Sequence, residues 1–374
     1  MRIRAAVLET MGAPAPYALS RPLRIQEVEL EPPGPGEVLV RVAAAGLCHS
    51  DLSVINGDRP RPLPMVLGHE AAGVVEEVGP GVHDLVKGDH VVLVFMPSCG
   101  HCLPCMEGRP ALCEPGAAAN GAGTLLSGAR RLRRDGEPIH HHVGVSAFAE
   151  YATVSRRSLV KIDPELPLEE AALFGCAVLT GAGAVINTGG VRPGQTVAVV
   201  GLGGVGLCAL LAAVASGARE IVAVDILPDK LAFARQLGAT LTFDAREQQV
   251  AEAVRAATRG GVDFTFEFAG SAAALELAWA ITRRGGTTIT AGLPHPSARL
   301  PVPIVQLVAE ERALKGSYIG TAVPARDVPR LIDLYRKGRL PVDRLVSARM
   351  SLEDINEGFD RLARGAAIRQ IVTP

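Results

Sequence analysis

Aromatic residues make up only 4% of this 374-residue chain, and it holds a single tryptophan. Excess charge is also missing: 38 Lys plus Arg stand against 39 Asp plus Glu, a formal net charge of −1. A chain with no basic excess and few aromatic faces lacks the electrostatic and stacking surface of nucleic-acid binders and of anionic-membrane binders. The opening MRIRAAVLET has only a four-residue apolar run before Glu9, too short for a signal peptide. One uncharged stretch runs from Pro193 to Ala218, but Gly201, Gly203, Gly204 and Gly206 interrupt it. A short β-branched strand, a glycine turn and a buried helix explain that stretch better than a membrane span. No internal repeat or low-complexity segment is found. The expectation is a soluble cytoplasmic protein with neither a nucleic-acid nor a membrane partner.

What is present is apolar residues, at 48%, over a length that favours two domains. Up to about Tyr151 the texture is strand-like. GEVLVRVAAAGL, AAGVVEEVG and GDHVVLV are short β-rich runs broken by Gly, Pro and Asp, as in an antiparallel barrel. After about Phe174 strands and helices alternate. VAVVG leads into VGLCALLAAVA, then IVAVD, then DKLAFARQLGA with its stop at Gly238. AREQQVAEAVRAATRGG predicts an amphipathic helix with Val250, Val254 and Ala257 on one face. VDFTFEF reads as a strand, SAAALELAWAITRRGG as a helix and TTITAGL as a strand. Alternation of this length predicts an α/β fold with a doubly wound parallel sheet. Two more helices and a strand-like IRQIV follow from about Thr321.

Gly201-Leu202-Gly203-Gly204-Val205-Gly206 is a GxGxxG set between a predicted strand and a predicted helix, the context that gives the motif meaning. Its glycines allow a tight turn, close approach of a pyrophosphate, and close packing of helix on strand. Asp225 ends the next strand, nineteen residues after Gly206. A carboxylate there accepts from adenosine ribose hydroxyls and repels a 2′-phosphate, which favours NAD over NADP. Lys230 is a further ribose candidate, and Cys208 reads as a small buried residue.

Four of the seven cysteines fall in CGHCLPCMEGRPALC, as Cys99, Cys102, Cys105 and Cys113. Two-residue gaps suit a turn wrapped round one tetrahedral ion better than disulfides, and four thiolates leave no open position for a substrate. A structural zinc is expected, with iron–sulfur ligation as the minor option. His101 is not needed as a ligand and should face solvent. Cys48 in GLCHSD, His69 and Glu70 in LGHE, and Cys176 in LFGCAVLTG each follow an apolar segment close to a glycine. Singly they are also explained as buried thiols or a core imidazole. Together a Cys/His/Cys set is the kind that leaves zinc a fourth position.

GLCHSD, GHEAAGVVEEVG, the four-cysteine lobe, FGCAVLTGAG, VGLGGVG, VDILPDK and IRQIV together resemble the zinc-dependent alcohol dehydrogenases of the medium-chain dehydrogenase/reductase superfamily, over nearly the whole chain. The resemblance implies a GroES-like β-barrel catalytic domain from residues 1–177 and 321–374, with the structural-zinc lobe near 99–113. It implies a Rossmann NAD-binding domain at 178–320 and an active cleft where the two meet. Two Zn2+ per chain and NAD are the implied cofactors, and a small alcohol or aldehyde the implied substrate. Cys48, His69 and Cys176 are then the catalytic-zinc ligands, with Asp51 hydrogen-bonded to His69. Glu70 becomes a transient ligand or a support for the site, and Ser50 a proton relay. His49 and Arg369 become phosphate contacts and Thr180 a nicotinamide contact. The turn glycines and Val205 carry the dinucleotide.

Many relatives have a histidine three residues after the relay hydroxyl, where this chain has Ser53. The run GTLLSGARRLRRDGEPIHHHVGVSAFAEY resembles an insert of the glutathione-dependent formaldehyde dehydrogenases. Yet Ala117 stands where that branch has a cation, and Arg61 follows Pro60 where it has an acid. Primary alcohols, in an apolar slot lined by Phe95 and Leu125, are expected instead of a glutathione adduct. His140–His142 should be a solvated loop. A zinc-free reductase and a noncatalytic NAD-binding scaffold are the rival classes. A homodimer joined near Pro301–Tyr318 is implied by the resemblance alone.

Overall fold

The computed structural model describes residues Met1–Pro374. It divides into one unit of Met1–Cys176, Val323–Pro329 and Asp343–Pro374, and a second of Ala177–Ala322 and Arg330–Val342.

The first unit contains a closed barrel of Arg2–Leu8, Leu23–Leu30, Leu132–Arg134, Glu137–His141 and Met65–Val66. Beside it lies a seven-stranded sheet built on the ten-residue strand Glu37–Gly46. That strand pairs antiparallel with Ala71–Val78, with Tyr151–Ser155 and, at its end, with the C-terminal strand Arg369–Thr373. The last contact is why both chain ends belong to one unit. Val38, Val40, Ala71, Val91, Phe148 and Phe359 pack in one core, the two phenyl rings meeting edge to face at 6.0 Å.

The segment resembling an insert supplies two of the barrel strands, and His140–His142 is no solvated loop. His140 and His141 end the strand Glu137–His141, with His141 and His142 only 1% and 2% exposed. Pairing with Met65–Val66 and Leu132–Arg134 on either side leaves His141 facing inward.

The second unit is a six-stranded parallel sheet, ordered Leu241–Asp244, Glu220–Asp225, Thr196–Val200, Val262–Glu267, Thr282–Thr290, Ala313–Gly316. This is the doubly wound order that reverses beside its first strand, where such sheets bind dinucleotides. Helix Gly204–Ala215 is buried from Gly206 to Ala213, which accounts for the uncharged run. No single helix is long and apolar enough to cross a membrane.

Three local expectations need correction. Helix Val250–Ala257 buries Val250 and Val254, but Ala257 is exposed and Thr258 continues the stripe. Helix Ala272–Ile281 stops before Thr-Arg-Arg-Gly-Gly, because the Thr282 hydroxyl bonds Ala278 O at 2.7 Å and meets the Thr265 and Thr288 hydroxyls at 2.8 Å. Those bonds carry Thr282 into the strand Thr282–Thr290. Residues 330–342 group with the parallel sheet, whereas the sequence assigned everything after 321 to the barrel domain.

His141 accepts the Arg131 N–H at 3.0 Å through Nε2. Burial holds its pKa down to about 4, only partly offset by Glu37. A depressed value means that the unfolded chain takes the proton first. The stability from neutral His141 is therefore complete above about pH 6.5 and is lost as pH falls through about 4. Replacing His141 with Gln should flatten that part of the acid-unfolding curve followed by circular dichroism.

Candidate active site and nucleotide-binding turn

Cys48 follows the strand Glu37–Gly46 and immediately precedes the helix His49–Ile55. His69 lies in the turn between Met65–Val66 and Ala71–Val78, and Cys176 ends a 3-10 turn, Leu173–Gly175. All three belong to the first unit. Gly68 sits at φ +91°, and a Cβ there would meet Phe148 N at 2.6 Å, so a glycine is required to aim His69. The three side chains are buried, and their ligand atoms lie within 4.8 Å of one another.

His69 Nδ1 lies 3.1 Å from Asp51, whose Oδ1 also accepts the Gly68 N–H at 3.0 Å. His69 Nε2 is buried without any hydrogen-bond partner. An orphaned imidazole nitrogen beside two buried sulfurs is a costly arrangement unless a cation sits between them. The donor set therefore fits zinc. Charges agree: hydrogen bonding from Cys176, against the cost of burial, holds the Cys48 thiol well below its ordinary value, with His69 adding to it. Burial works against the Asp51 carboxylate, yet His69 and His142 outweigh it and keep it ionised.

Glu70 is fully buried and ion-paired with the Arg369 guanidinium, itself 4% exposed. Burial pushes the Glu70 carboxyl up, and Arg369 opposes that push. The pair rests on Gly46, where a Cβ would fall 2.7 Å from Glu70 Oε1. Removing either partner would strand a buried charge, an effect of about 3–5 kcal/mol. Phe95 stands edge-on to His69, ring centroids 5.3 Å apart. Leu125 is fully buried. Ser50 is half-buried, His49 exposed. The Ser53 hydroxyl donates to His49 O at 2.9 Å, so it is committed to the helix backbone.

The lobe brings Cys99, Cys102, Cys105 and Cys113 within the same 4.8 Å limit. Cys99 Sγ accepts the Cys102 N–H at 3.3 Å, and Cys113 Sγ accepts those of Cys99 and Gly116 at 3.2 and 3.4 Å. Backbone donors lower the Cys99 thiol to about 6, while desolvation pushes Cys105 up to about 12. His101 is exposed, as expected.

In the second unit Gly201 has φ +91°, and a Cβ on Gly206 would fall 1.9 Å from Gly201 O. Gly203 faces open space and precedes the helix Gly204–Ala215, leaving the helix N-terminus clear for phosphate. Val205 is half-buried in the first turn of that helix. Asp225 accepts the Leu202 and Leu227 N–H groups at 2.7 and 3.0 Å, which pins its carboxylate at the strand end. Thr180 and Lys230 are half-buried.

Sequence reasoning missed two features: the Glu70–Arg369 pair, joining positions 299 apart, and His142, whose Nδ1 lies 3.1 Å from Asp51 Oδ1. No spacing signal reveals either. The alternation of Ile139, His141 and Val143 offered a hint for His141 alone.

A metal-ready Cys/His/Cys set, a closed four-cysteine lobe and a dinucleotide turn define a zinc-binding dehydrogenase. Residues 34–164 match the alcohol dehydrogenase GroES-like domain family, and residues 204–337 the zinc-binding dehydrogenase family. The NDMA-dependent alcohol dehydrogenase of Amycolatopsis methanolica is 39% identical, covering 100% of this chain and 99% of that protein. An alcohol dehydrogenase zinc-binding domain protein from Burkholderia ambifaria is similar in structure, with TM-score 0.94 and 40% identity over 100% of this chain and 99% of the other. Benzyl alcohol dehydrogenase from Acinetobacter calcoaceticus gives 0.93 and 34%, with the same coverage. The chain belongs to the zinc-type alcohol dehydrogenases of the medium-chain dehydrogenase/reductase superfamily.

The two cysteine clusters should separate cleanly on mutation. Cys48→Ala should lose one bound zinc and all turnover while its melting temperature changes little. Cys102→Ser should melt at a lower temperature, because folding free energy resides in a closed site. Metal analysis with scanning calorimetry reads both, and the opposite pattern would exchange the two assignments.

Proposed function

We propose that this enzyme oxidises a primary alcohol, aliphatic or aromatic, reversibly to its aldehyde with NAD. The observation that carries the reading is the unpartnered His69 Nε2 among Cys48 and Cys176. Zinc at that set supplies Lewis acidity that lowers the pKa of an alcohol hydroxyl, and NAD supplies the hydride acceptor. Asp51 fixes the tautomer and orientation of His69, leaving Nε2 free to bind the ion. Ser50, two residues after Cys48, accepts the alcohol proton and passes it outward. Ser53 cannot continue that relay, because its hydroxyl is bonded to His49 O. The exposed His49, one residue before Ser50, is the remaining side chain on that turn able to assist.

Phe95, edge-on to His69, offers an apolar wall that suits unbranched or aromatic substrates, and the benzyl alcohol dehydrogenase likeness supports the aromatic case. Glu70, held beside the donors by Arg369, is assigned as a transient ligand. The same proposal gives His49 and Arg369 to the cofactor phosphates, Thr180 to the nicotinamide, and Asp225 with Lys230 to the ribose. Asp225 disfavours a 2′-phosphate, which supports NAD over NADP. A homodimer is supported by two features of the second unit. Strand Ala313–Gly316 has a neighbour on one side only, and Ile304, Val305 and Val308 on the nearby helix Ile304–Ala309 are exposed.

A second reading has its own support, since one relative is named for dependence on NDMA. Under it, alcohol oxidation by this chain needs NDMA and proceeds without added NAD.

Absorbance of NADH across a panel of alcohols, beside a zinc count, tests the first reading. Turnover of primary alcohols with NAD, slower with NADP, and two zinc ions per chain are expected. Oxidation seen only with NDMA selects the second reading. No turnover with either acceptor, despite full zinc, would leave a noncatalytic scaffold.

A further inference from the structure

His142 belongs to a stretch that the activity proposed above does not use, yet it is buried against the ligand shell. Its imidazole is 3% exposed, with Nδ1 3.1 Å from Asp51 Oδ1. Its ring meets that of His69 edge to face, centroids 5.5 Å apart. His69 Nδ1 lies the same 3.1 Å from Asp51 on its own side. One carboxylate with no solvent exposure thus stands between two imidazoles. The backbone fixes His142 from behind: its N–H donates to Ser146 Oγ at 2.9 Å, and that hydroxyl donates to Val66 O at 2.9 Å. Val66 lies three residues before His69 on the same run, so a polar connection ties both histidines to one segment.

We propose that His142 is a positioning residue for the metal site, its buried imidazole set against the Asp51 carboxylate at ion-pair distance so that this carboxylate holds His69 in the one orientation that aims Nε2 at Cys48 and Cys176. The inference rests on the reading of that Cys/His/Cys set as a zinc site. A buried carboxylate flanked by imidazoles on two sides has little room to rotate, whereas one flanked on a single side can turn and take its histidine with it. Partners standing behind a ligand typically govern metal affinity by about 10- to 100-fold. Asp51, His69 and His142 also form a compact donor group by themselves. A second ion there would need the His69 Nδ1 atom that faces Asp51, so the group serves better as a brace.

The test uses zinc-loaded enzyme and two variants. His142→Phe keeps a ring and removes the polar nitrogen facing Asp51, whereas His142→Gln keeps a polar side-chain N–H there. Zinc release into excess chelator is followed with a metallochromic indicator, and the four-cysteine lobe of the same chain serves as internal control. His142→Phe should release one of its two zinc ions at least about tenfold faster than the unmodified enzyme, with the lobe zinc unchanged. His142→Gln should restore most of the slow release. The inference is overturned if His142→Phe matches the unmodified enzyme, if Gln behaves like Phe, or if both ions leave faster together. If the unmodified enzyme binds zinc only in the lobe, the reading of the Cys48 site fails instead, a result separable from the others.

Discussion

A carboxylate wholly removed from water, that of Asp51, is the constraint on which the first unit's chemistry depends. Burial alone would neutralise it, so it survives as an anion only because His69, the Gly68 N–H and His142 gather round it. In return it points His69 Nε2 away from itself, toward two sulfurs and no other partner. The same logic repeats one residue along, where Glu70 is tolerable only against Arg369. Two buried carboxyl groups, each set against its own partner, Asp51 against His69 and Glu70 against Arg369, fix the direction of the side chains they face.

The site around them is assembled from distant pieces. The helix after Cys48, the turn before Ala71 and the C-terminal strand at Arg369 converge because the strand Glu37–Gly46 pairs with both Ala71–Val78 and Arg369–Thr373. Close approaches at Gly46 and Gly68 then leave no room for side chains there. The lobe follows different physics. Its four cysteines are near in sequence and need only a short loop, which is why it can be a stability element while the Cys48 site depends on the whole unit.

Much of this was legible in the residues. Runs broken by Gly and Pro marked the strands Glu37–Gly46, Ala71–Val78 and His90–Leu93, although these lie in the seven-stranded sheet beside the closed barrel; alternation of strand and helix gave a parallel sheet, and GxGxxG with Asp225 fell in its expected context. These signals are local, arising from periodicity and turn chemistry over a few residues. The failures were local too, but competitive: Thr282 found hydroxyl partners on two strands that a helix count cannot foresee, and Ala257 yielded its buried place to Thr258. The three histidines at 140–142 looked polar and therefore wet, because composition does not say which polar residues have found buried partners.

The chain by itself determined which atoms were available: seven thiols, two sets of them at metal-binding positions, a glycine turn, and an acid at the end of the next strand. Short-range geometry fixes such features, so they can be read directly. Tertiary structure alone decided which of those atoms meet. Asp51 with His142, and Glu70 with Arg369, are chosen by strand pairing across long stretches of chain, and the low dielectric that makes their pairing obligatory exists only once the core has closed.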